Sequence, residues 1–286
     1  MKTRTVGGLV IAIVAAAALA PFAIAVRRGD GAAGHASSRR GVLLEDVTWM
    51  DAEKLLGPET VVVLPIGAAS KEHGPHLRLG NDWLLADAFR RRLAETRSVV
   101  VAPIVGYSFY PAFAAYPGST TLRLETARDV VVDVCRSLAR YGPRRFYALN
   151  TGLSTLRALE PAARALAAEG ILLTYTDWAG ALRDTERAVC SQTAGTHADE
   201  SETSLVLAVA PASVDMSKAV RDVHEQRPGG LVRSPEQPGT YSPTGVYGDA
   251  TLATREKGEK LAAAVMRALE HDVDELRTAP LPPALP

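Results

Sequence analysis

Two short stretches of the chain concentrate the side chains that could do chemistry. The first runs from residue 67 to residue 82 and holds Lys71, Glu72, His73, His76 and Asp82. Histidines with acidic neighbours bind divalent metals or act as general acids and bases. The same residue types also have structural explanations: His76 could pack in the core, Glu72 could be a solvated loop charge, and Asp82 could cap a helix. Taken alone, this stretch leaves both interpretations open.

The second stretch spans residues 195–204 and is followed by an apolar run. Its Thr196 and Asp199 have the spacing of a capping box, which would explain Asp199 and Glu200 as acids of a first helical turn. That explanation accounts less well for His197 and Glu202. A histidine at a helix start, with a carboxylate about one turn later, can ligate a metal or relay a proton.

An alternation of strands and helices must position these stretches. Apolar or β-branched runs predict strands over 60–66, 98–104, 145–149 and 171–176, and helical spacing predicts helices over 82–95, 125–141, 155–169 and 253–269. This pattern is typical of a three-layer α/β fold, with a mostly parallel sheet and helices on both faces. In such sheets ligands bind at the carboxyl ends of strands. We therefore expect the chemistry in the loops after Ile66 and Leu149.

The composition fits one globular domain with a small-molecule ligand. The chain has 286 residues, 47% hydrophobic and 22% charged, which suffices for one large domain with a complete core. The formal net charge is zero and no basic run is interleaved with aromatics, so no nucleic-acid partner is expected. Cys135 and Cys190 lack metal-ligand spacing. Cys135 is expected to be a buried thiol, and pairing of the two is left open.

The first 28 residues have the pattern of a signal peptide. Lys2 and Arg4 precede an apolar stretch over 6–26, and Ala23 and Ala25 form the small-x-small pattern that a signal peptidase accepts. Left uncleaved, residues 6–26 would be an N-terminal anchor that tethers the protein to a membrane. Both interpretations predict an extracytoplasmic protein: periplasmic, secreted or membrane-anchored.

The rest of the chain divides by composition. Residues 29–40 are polar and glycine-rich, which predicts a flexible linker. The folded domain is expected over 41–278. The tail over 279–286 is proline-rich and cannot continue a helix.

Both chemistry-bearing stretches resemble the signatures of the creatininase (creatinine amidohydrolase) family. The matching residues are Leu64-Pro-Ile-Gly, His73-Gly-Pro-His76-Leu and Leu79-Gly80-Asn-Asp82 in the first, and Gly195-Thr-His197-Ala-Asp-Glu-Ser-Glu202-Thr-Ser204 in the second. Tyr116-Pro-Gly-Ser-Thr and the loop at Asn150 also match. The resemblance covers about 45–270. It implies a doubly wound α/β fold, a homo-oligomer, and hydrolysis of cyclic amides or related bonds with a pair of divalent metals.

Carried over residue by residue, the resemblance keeps one metal site and loses the other. His73 matches the family's first-signature histidine and Asp82 its bridging aspartate. Lys71 stands where the family has a glutamate, and Gly152 stands where it has a histidine two residues beyond Asn150. Both missing ligands belong to the same metal of the pair. The ammonium of Lys71 could supply positive charge beside Asp82 without needing ligands.

The main hypothesis is a metal-dependent hydrolase of an amide or related C–N bond in a small, possibly cyclic, substrate. One divalent ion, zinc or manganese, would be held by His73, Asp82 and Glu202, with Glu72 as a substitute ligand. His197 would carry a proton to the leaving nitrogen. Catalytic roles are assigned to His197, Glu202 and Lys71, and substrate binding to His76, Asn150 and Tyr116.

Two alternatives stay open. A family member could have kept the pocket and lost hydrolysis, which would make it a small-molecule-binding or structural protein. A metal-free enzyme could instead use Lys71 itself as base or nucleophile. The aromatic residues between 107 and 116 either wall the pocket or pack in the core or a subunit contact.

Overall fold

A computed structural model describes residues 41–284, and its centre is a parallel five-stranded sheet in the order β1-β3-β2-β4-β5. The strands are β1 (Val42–Leu43), β2 (Val61–Ile66), β3 (Val100–Val101), β4 (Arg145–Asn150) and β5 (Leu172–Tyr175). The helices are α1 (Trp49–Leu55), α2 (Asn81–Thr96), α3 (Leu124–Ala139), α4 (Leu156–Ala167), α5 (Trp178–Val189), α6 (Glu200–Val209) and α7 (Arg255–Thr278).

Alternate residues of the central strands face two different helix layers. Val61 and Val63 of β2 pack with buried side chains of α2, α6 and α7. Val62 and Leu64 pack with buried side chains of α3 and α4. Successive side chains of a strand point to opposite faces, so a sheet covered on both faces needs apolar residues at every position. The three-layer α/β class predicted from the sequence is confirmed.

Two small sheets and a close helix contact complete the domain. The antiparallel pair is β6 (Arg221–Asp222) with β9 (Gly248–Asp249), and the parallel pair is β7 (Leu231–Val232) with β8 (Thr240–Tyr241). Helices α6 and α7 approach closely at Gly258, where a Cβ would lie 1.8 Å from the carbonyl oxygen of Ser204. Only glycine fits there, and the contact fixes the helix that carries Glu202.

The structure adds elements that were not predicted, such as β1 and α1, and it differs further in α5, α7 and β3. Helix α5 lies in a segment for which no element was predicted. Helix α7 starts at Arg255 and continues past the predicted end at 269 to Thr278, because Val273 and Leu276 extend its buried stripe. The predicted strand over 98–104 is reduced to the two residues of β3.

The N-terminal predictions lie outside the described residues. This holds for the signal peptide or anchor over 1–28 and for the linker over 29–40. Between residues 41 and 284, no helix is long and apolar enough to cross a membrane. Cys135 is fully buried, as expected, and both cysteines are free thiols.

Candidate active site

The two chemistry-bearing loops leave the sheet at the same edge. Strands β2 and β4 are paired in parallel, with Ile66 opposite Asn150, so both end at one level. The chain after Ile66 carries the first stretch into α2, and the chain after Asn150 leads into α4. The loop between α5 and α6 brings the second stretch to the same place, since His197 Nε2 lies 2.8 Å from Glu72 Oε1 of the first stretch.

A buried ion pair lies at the centre of the site. Lys71 Nζ is 2.7 Å from Asp82 Oδ2, and both side chains are almost completely shielded from solvent. The contact is an ion pair rather than a directed hydrogen bond. On the other oxygen, Asp82 Oδ1 is 2.8 Å from His73 Nε2. His73 Nδ1 lies 2.9 Å from the carbonyl oxygen of Lys71 and donates to it, so Nε2 is the nitrogen turned toward the carboxylates.

Glu202 closes the cluster from α6. Its Oε1 is 3.3 Å from His73 Nε2 and accepts a hydrogen bond from Asn81 Nδ2 at 3.0 Å. Its Oε2 accepts from the backbone N–H of Ala198 at 2.8 Å and lies 3.8 Å from His197 Nδ1. Ala198 has a φ of 49°, a left-handed conformation that costs a non-glycine residue energy. This local strain accompanies the turn that places His197 beside Glu202.

The cluster requires a positive charge at His73 Nε2. This nitrogen faces two acceptor oxygens, Asp82 Oδ1 and Glu202 Oε1, which repel a bare lone pair. Burial and the charge of Lys71 lower the pKa of His73, but Asp82 and Glu202 outweigh them and raise it to about 9. A proton or a metal ion can meet the same need.

His73, Asp82 and Glu202, with His197 beside them, form a donor set that fits one divalent ion. Donor atoms of His73, His197 and Glu202 lie within 4.8 Å of one another, and Asp82 Oδ1 adjoins them. Imidazole and carboxylate ligands in this number suit zinc or manganese. The far side of Asp82 does not fit a second ion, because Lys71 occupies it and Gly152 brings no ligand.

Glu72 lies behind His197 rather than among the converging donor atoms. Its Oε1 is 2.8 Å from His197 Nε2, and its Oε2 accepts from the N–H of Gly74 at 2.9 Å. Both oxygens are therefore engaged. A carboxylate that accepts from one nitrogen of an imidazole fixes the tautomer and presents the other nitrogen to the site. Glu72 was expected to substitute as a metal ligand, but in the structure it orients His197 instead.

A tight turn over residues 242–247 holds both partners of this pair. Gly245 has a φ of 83°, and a Cβ there would lie 2.0 Å from Glu72 Oε2, so the bare backbone packs on the carboxylate. The next residue but one, Tyr247, donates its N–H to the carbonyl oxygen of His197 at 2.9 Å. Asp222 anchors the turn, since its Oδ2 lies 2.9 Å from Ser242 Oγ. The turn therefore sets the relative position of the histidine and the glutamate.

A cavity of about 470 Å³ opens on the cluster. Its wall includes Lys71, His197 and Glu202 from the cluster. Its other sides are formed by the aromatic loop, the loop that follows β4, and helix α5; among these residues are Tyr110, Phe113, Gly152, Leu153, Trp178 and Leu182. The loop before α6 adds polar side chains such as Gln192 and Thr193, so the cluster opens into a chamber of mixed polar and apolar lining that could hold a small molecule.

Comparison with known proteins decides the family. The model of the family described as creatininase, creatinine amidohydrolase, matches residues 45–273, which is most of the chain. The chain belongs to the creatininase family. The resemblance of the two signature stretches is thereby confirmed, and the match makes the chain a member of a family of amidohydrolase enzymes.

Relatives with different names are similar to this chain. It is 28% identical to creatinine amidohydrolase of Pseudomonas putida, over 82% of this chain and 97% of the relative. It is also 28% identical to the mycofactocin precursor peptide peptidase of Mycolicibacterium smegmatis, over 71% of this chain and 80% of the relative. A solved structure of a mutant creatininase of Zn-Zn type matches with a TM-score of 0.70 and 26% identity, over 83% of this chain and 98% of that one.

The three residues predicted to bind substrate in this creatininase-family protein make structural contacts instead. His76 is buried, its Nε2 is 2.7 Å from Thr203 Oγ1, and burial lowers its pKa to about 4. Tyr116 donates its hydroxyl to the carbonyl oxygen of Ser242. Asn150 donates to the carbonyl oxygen of Gly152 and so shapes the loop beside the cavity. None of these three side chains lines the cavity, and each is held by a hydrogen bond within the protein.

The predicted capping box is also corrected. Helix α6 begins at Glu200, and its N-cap is Asp199, whose side chain accepts from the N–H of Glu202. Thr196 lies before the helix. Glu200 is fully buried, where it accepts from the N–H of Ser191 at 2.8 Å and pairs with Lys257. It ties α7 to the loop that leads to His197.

Sequence reasoning missed the cavity wall on the side of α5. Trp178 and Leu182 have the i, i+4 spacing of a helix face, which could have signalled this element. Asp177 caps the helix by accepting from the N–H of Gly180. Of the two interpretations of the aromatic loop, the structure favours the pocket wall, since Tyr110 and Phe113 line the cavity.

Proposed function

We propose that this protein hydrolyses the C–N bond of an amide, using one divalent metal ion held by His73, Asp82 and Glu202. The observation that carries the proposal is the convergence of His73 Nε2 with Asp82 Oδ1 and Glu202 Oε1, at 2.8 and 3.3 Å, beside a cavity. Family membership supports the reaction class, since the matching relatives are named amidohydrolase and peptidase.

A divalent ion bound there would supply Lewis acidity to polarise a carbonyl group and activate water. The chain's own residues do the rest. Lys71 balances the charge of Asp82, and Glu72 holds His197 with Nε2 protonated. His197 Nδ1 then faces the cluster, where it can take a proton from water and deliver it to the leaving nitrogen. The products are a carboxylate and an amine, so one water is consumed for each bond broken.

A second candidate function is small-molecule binding without hydrolysis. The observation that favours it is the Lys71–Asp82 ion pair, which fills the position of a metal that the family resemblance implies. The third hypothesis, Lys71 as nucleophile, is disfavoured. Its ammonium is paired with a buried carboxylate and lies 4.5 Å from the centroid of the Phe113 ring, and both are contacts of a cation.

Metal analysis with a matched variant separates these functions. Protein purified without chelator should contain one equivalent of zinc or manganese and should hydrolyse members of a panel of creatinine, glutarimide and small peptides. Glu202→Gln keeps the Lys71–Asp82 pair but removes a ligand charge, so it should lose metal and activity together. Glu259→Gln, an exposed glutamate of α7, is the control and should keep both.

Two outcomes would redirect the proposal. Full metal content in Glu202→Gln would contradict the ligand assignment. Wild-type protein that binds panel compounds but contains no metal and hydrolyses none of them would support the binding function instead. A homo-oligomer, which the resemblance implies, remains part of the proposal, and light scattering of the purified protein would test it.

A further inference from the structure

Tyr110 is a buried phenol with no hydrogen-bond partner. Its side chain is 2% exposed, and within the described part of the chain its hydroxyl contacts no donor or acceptor. Other buried tyrosines satisfy theirs: Tyr116 donates to the carbonyl oxygen of Ser242 and Tyr147 donates to Asp272 Oδ2. A buried hydroxyl left unpaired costs stability, so its presence calls for a reason.

The surroundings of Tyr110 place it at the active site. Its ring is part of the cavity wall, and the Nζ of Lys71 lies 5.9 Å from the ring centroid. A Cβ at position 152 would be 4.0 Å from its Cε1, so glycine at this position leaves the ring edge uncovered. The backbone is fixed by a hydrogen bond from the Tyr110 N–H to Thr121 Oγ1 at 2.9 Å.

The hydroxyl of Tyr110 keeps its proton and can therefore donate a hydrogen bond here. Burial, and then the negative charge of Asp82, raise the pKa of the phenol far above neutrality, so the proton stays on the oxygen. The neighbouring polar group on this wall, Lys71, is also a donor. Two donors on one wall complement an oxygen that carries negative charge.

We infer that Tyr110 donates its hydroxyl hydrogen to the carbonyl oxygen of an amide bound in the cavity. The inference rests on the proposed function and adds the orientation of its substrate. When water adds to the carbonyl carbon, the oxygen gains negative charge and the hydrogen bond from Tyr110 strengthens. No bond to Tyr110 is made or broken, and its proton remains on the phenol.

The test compares Tyr110→Phe with Tyr147→Phe as the matched control. Tyr147→Phe removes a hydrogen-bonded hydroxyl that lies away from the cavity. The thermal midpoint of this variant should fall by about 2–6 °C, while its hydrolysis kinetics stay unchanged. Tyr110→Phe removes an unpaired hydroxyl and should leave the midpoint of the free protein unchanged or higher. It should lower kcat for the hydrolysed panel amide about 10- to 100-fold with little change in KM.

A ligand readout that does not need turnover is the rise in midpoint caused by glutarimide, a cyclic amide with two carbonyl oxygens. The rise should be present in wild type and Tyr147→Phe and smaller in Tyr110→Phe. An equal glutarimide-induced rise in thermal midpoint in all three proteins would overturn the inference. So would a fall in the midpoint of ligand-free Tyr110→Phe as large as the fall in Tyr147→Phe. No glutarimide effect in wild type would also overturn it, because the cavity would then hold no amide carbonyl.

The two proposals fail separately. A metal-loaded wild type that hydrolyses amides, with Tyr110→Phe equally active, refutes the role of Tyr110 and leaves the proposed function standing. A glutarimide effect that depends on Tyr110, in protein without metal or hydrolysis, refutes the proposed function and supports the contact.

Discussion

Replacing Lys71 by methionine should be one of the most destabilising single changes in this protein. The Lys71 Nζ–Asp82 Oδ2 distance is 2.7 Å, and the two side chains are only 6% and 1% exposed. Methionine has a similar length but leaves Asp82 Oδ2 without its cation, so only His73 on the other oxygen still faces the carboxylate. Removing one partner of a buried ion pair costs about 3–5 kcal/mol. For a domain of this size that corresponds to a fall of roughly 6–20 °C in thermal midpoint.

Replacing Lys71 by glutamate should do more than remove the pair. It places a further carboxylate beside Asp82 and near Glu202. At 4 Å two like charges repel by about 1 kcal/mol in water and about 4 kcal/mol at an effective dielectric constant of 20. The site then lacks positive charge, and the variant should be less stable than Lys71→Met unless a second divalent ion binds.

Adding Gly152→His should supply the missing ligand. A Cβ at position 152 would meet Thr155 Oγ1 at 3.5 Å and Tyr110 Cε1 at 4.0 Å, both ordinary contacts. The backbone therefore accepts a side chain without a clash. The double variant should bind a second equivalent of zinc or manganese and regain part of the lost stability.

The assay is metal content and thermal midpoint for wild type, Lys71→Met, Lys71→Glu, Gly152→His and the double variant. Lys54→Met is the control, because Lys54 forms an exposed pair with Asp51 and its loss should change neither quantity measurably. If Lys71→Glu is as stable as wild type and the double variant binds no additional metal, Lys71 does not stand in for a cation.

Three further predictions use other parts of the chain. Gly245→Ala should displace Glu72, because the added Cβ would lie 2.0 Å from Glu72 Oε2. Hydrolytic activity should then fall at least tenfold while the metal content is retained, and wild-type activity in this variant would refute the role of the turn in holding Glu72. In native protein a thiol reagent should modify Cys190 slowly and Cys135 only after unfolding, since burial raises the pKa of both thiols to about 12 and Cys135 is fully enclosed. Mass spectrometry of protein from the native cell should find an N-terminus at Val26, whereas an intact Met1 in the membrane fraction would make the segment an anchor.

The layers of the fold were predictable because their signal is local. The apolar runs of β2 and β4 are buried on both faces, and each gave the strand almost at its observed bounds. Helix α5 was missed although its apolar residues recur at helical spacing: Trp178, Leu182 and Val189 pack on the core from one face. Its amphipathic pattern was therefore available in the sequence.

The proximity of some residues of the candidate site could be expected from the sequence, whereas most of their contacts could not. Lys71, His73 and Asp82 lie within twelve residues of one another along the chain, so one loop could be expected to bring them together. The partner of Glu72 could not be predicted in this way. It lies 125 positions away at His197, and the turn at Gly245 that fixes the pair comes from a third region. Such contacts follow from tertiary packing rather than from spacing.

The geometry at Asp82 makes Lys71 and a second metal mutually exclusive. An ammonium 2.7 Å from Oδ2 already occupies the space in which a bridging aspartate would meet another ion, and its charge would repel that ion. A chain that acquired Lys71 would thus have no further use for a metal-binding side chain at position 152. Conversely, loss of a ligand at position 152 would weaken the metal and leave Asp82 in need of a cation. We therefore propose that the lysine and the glycine are two parts of one change, which would exchange the metal implied by the family resemblance for a covalently attached charge.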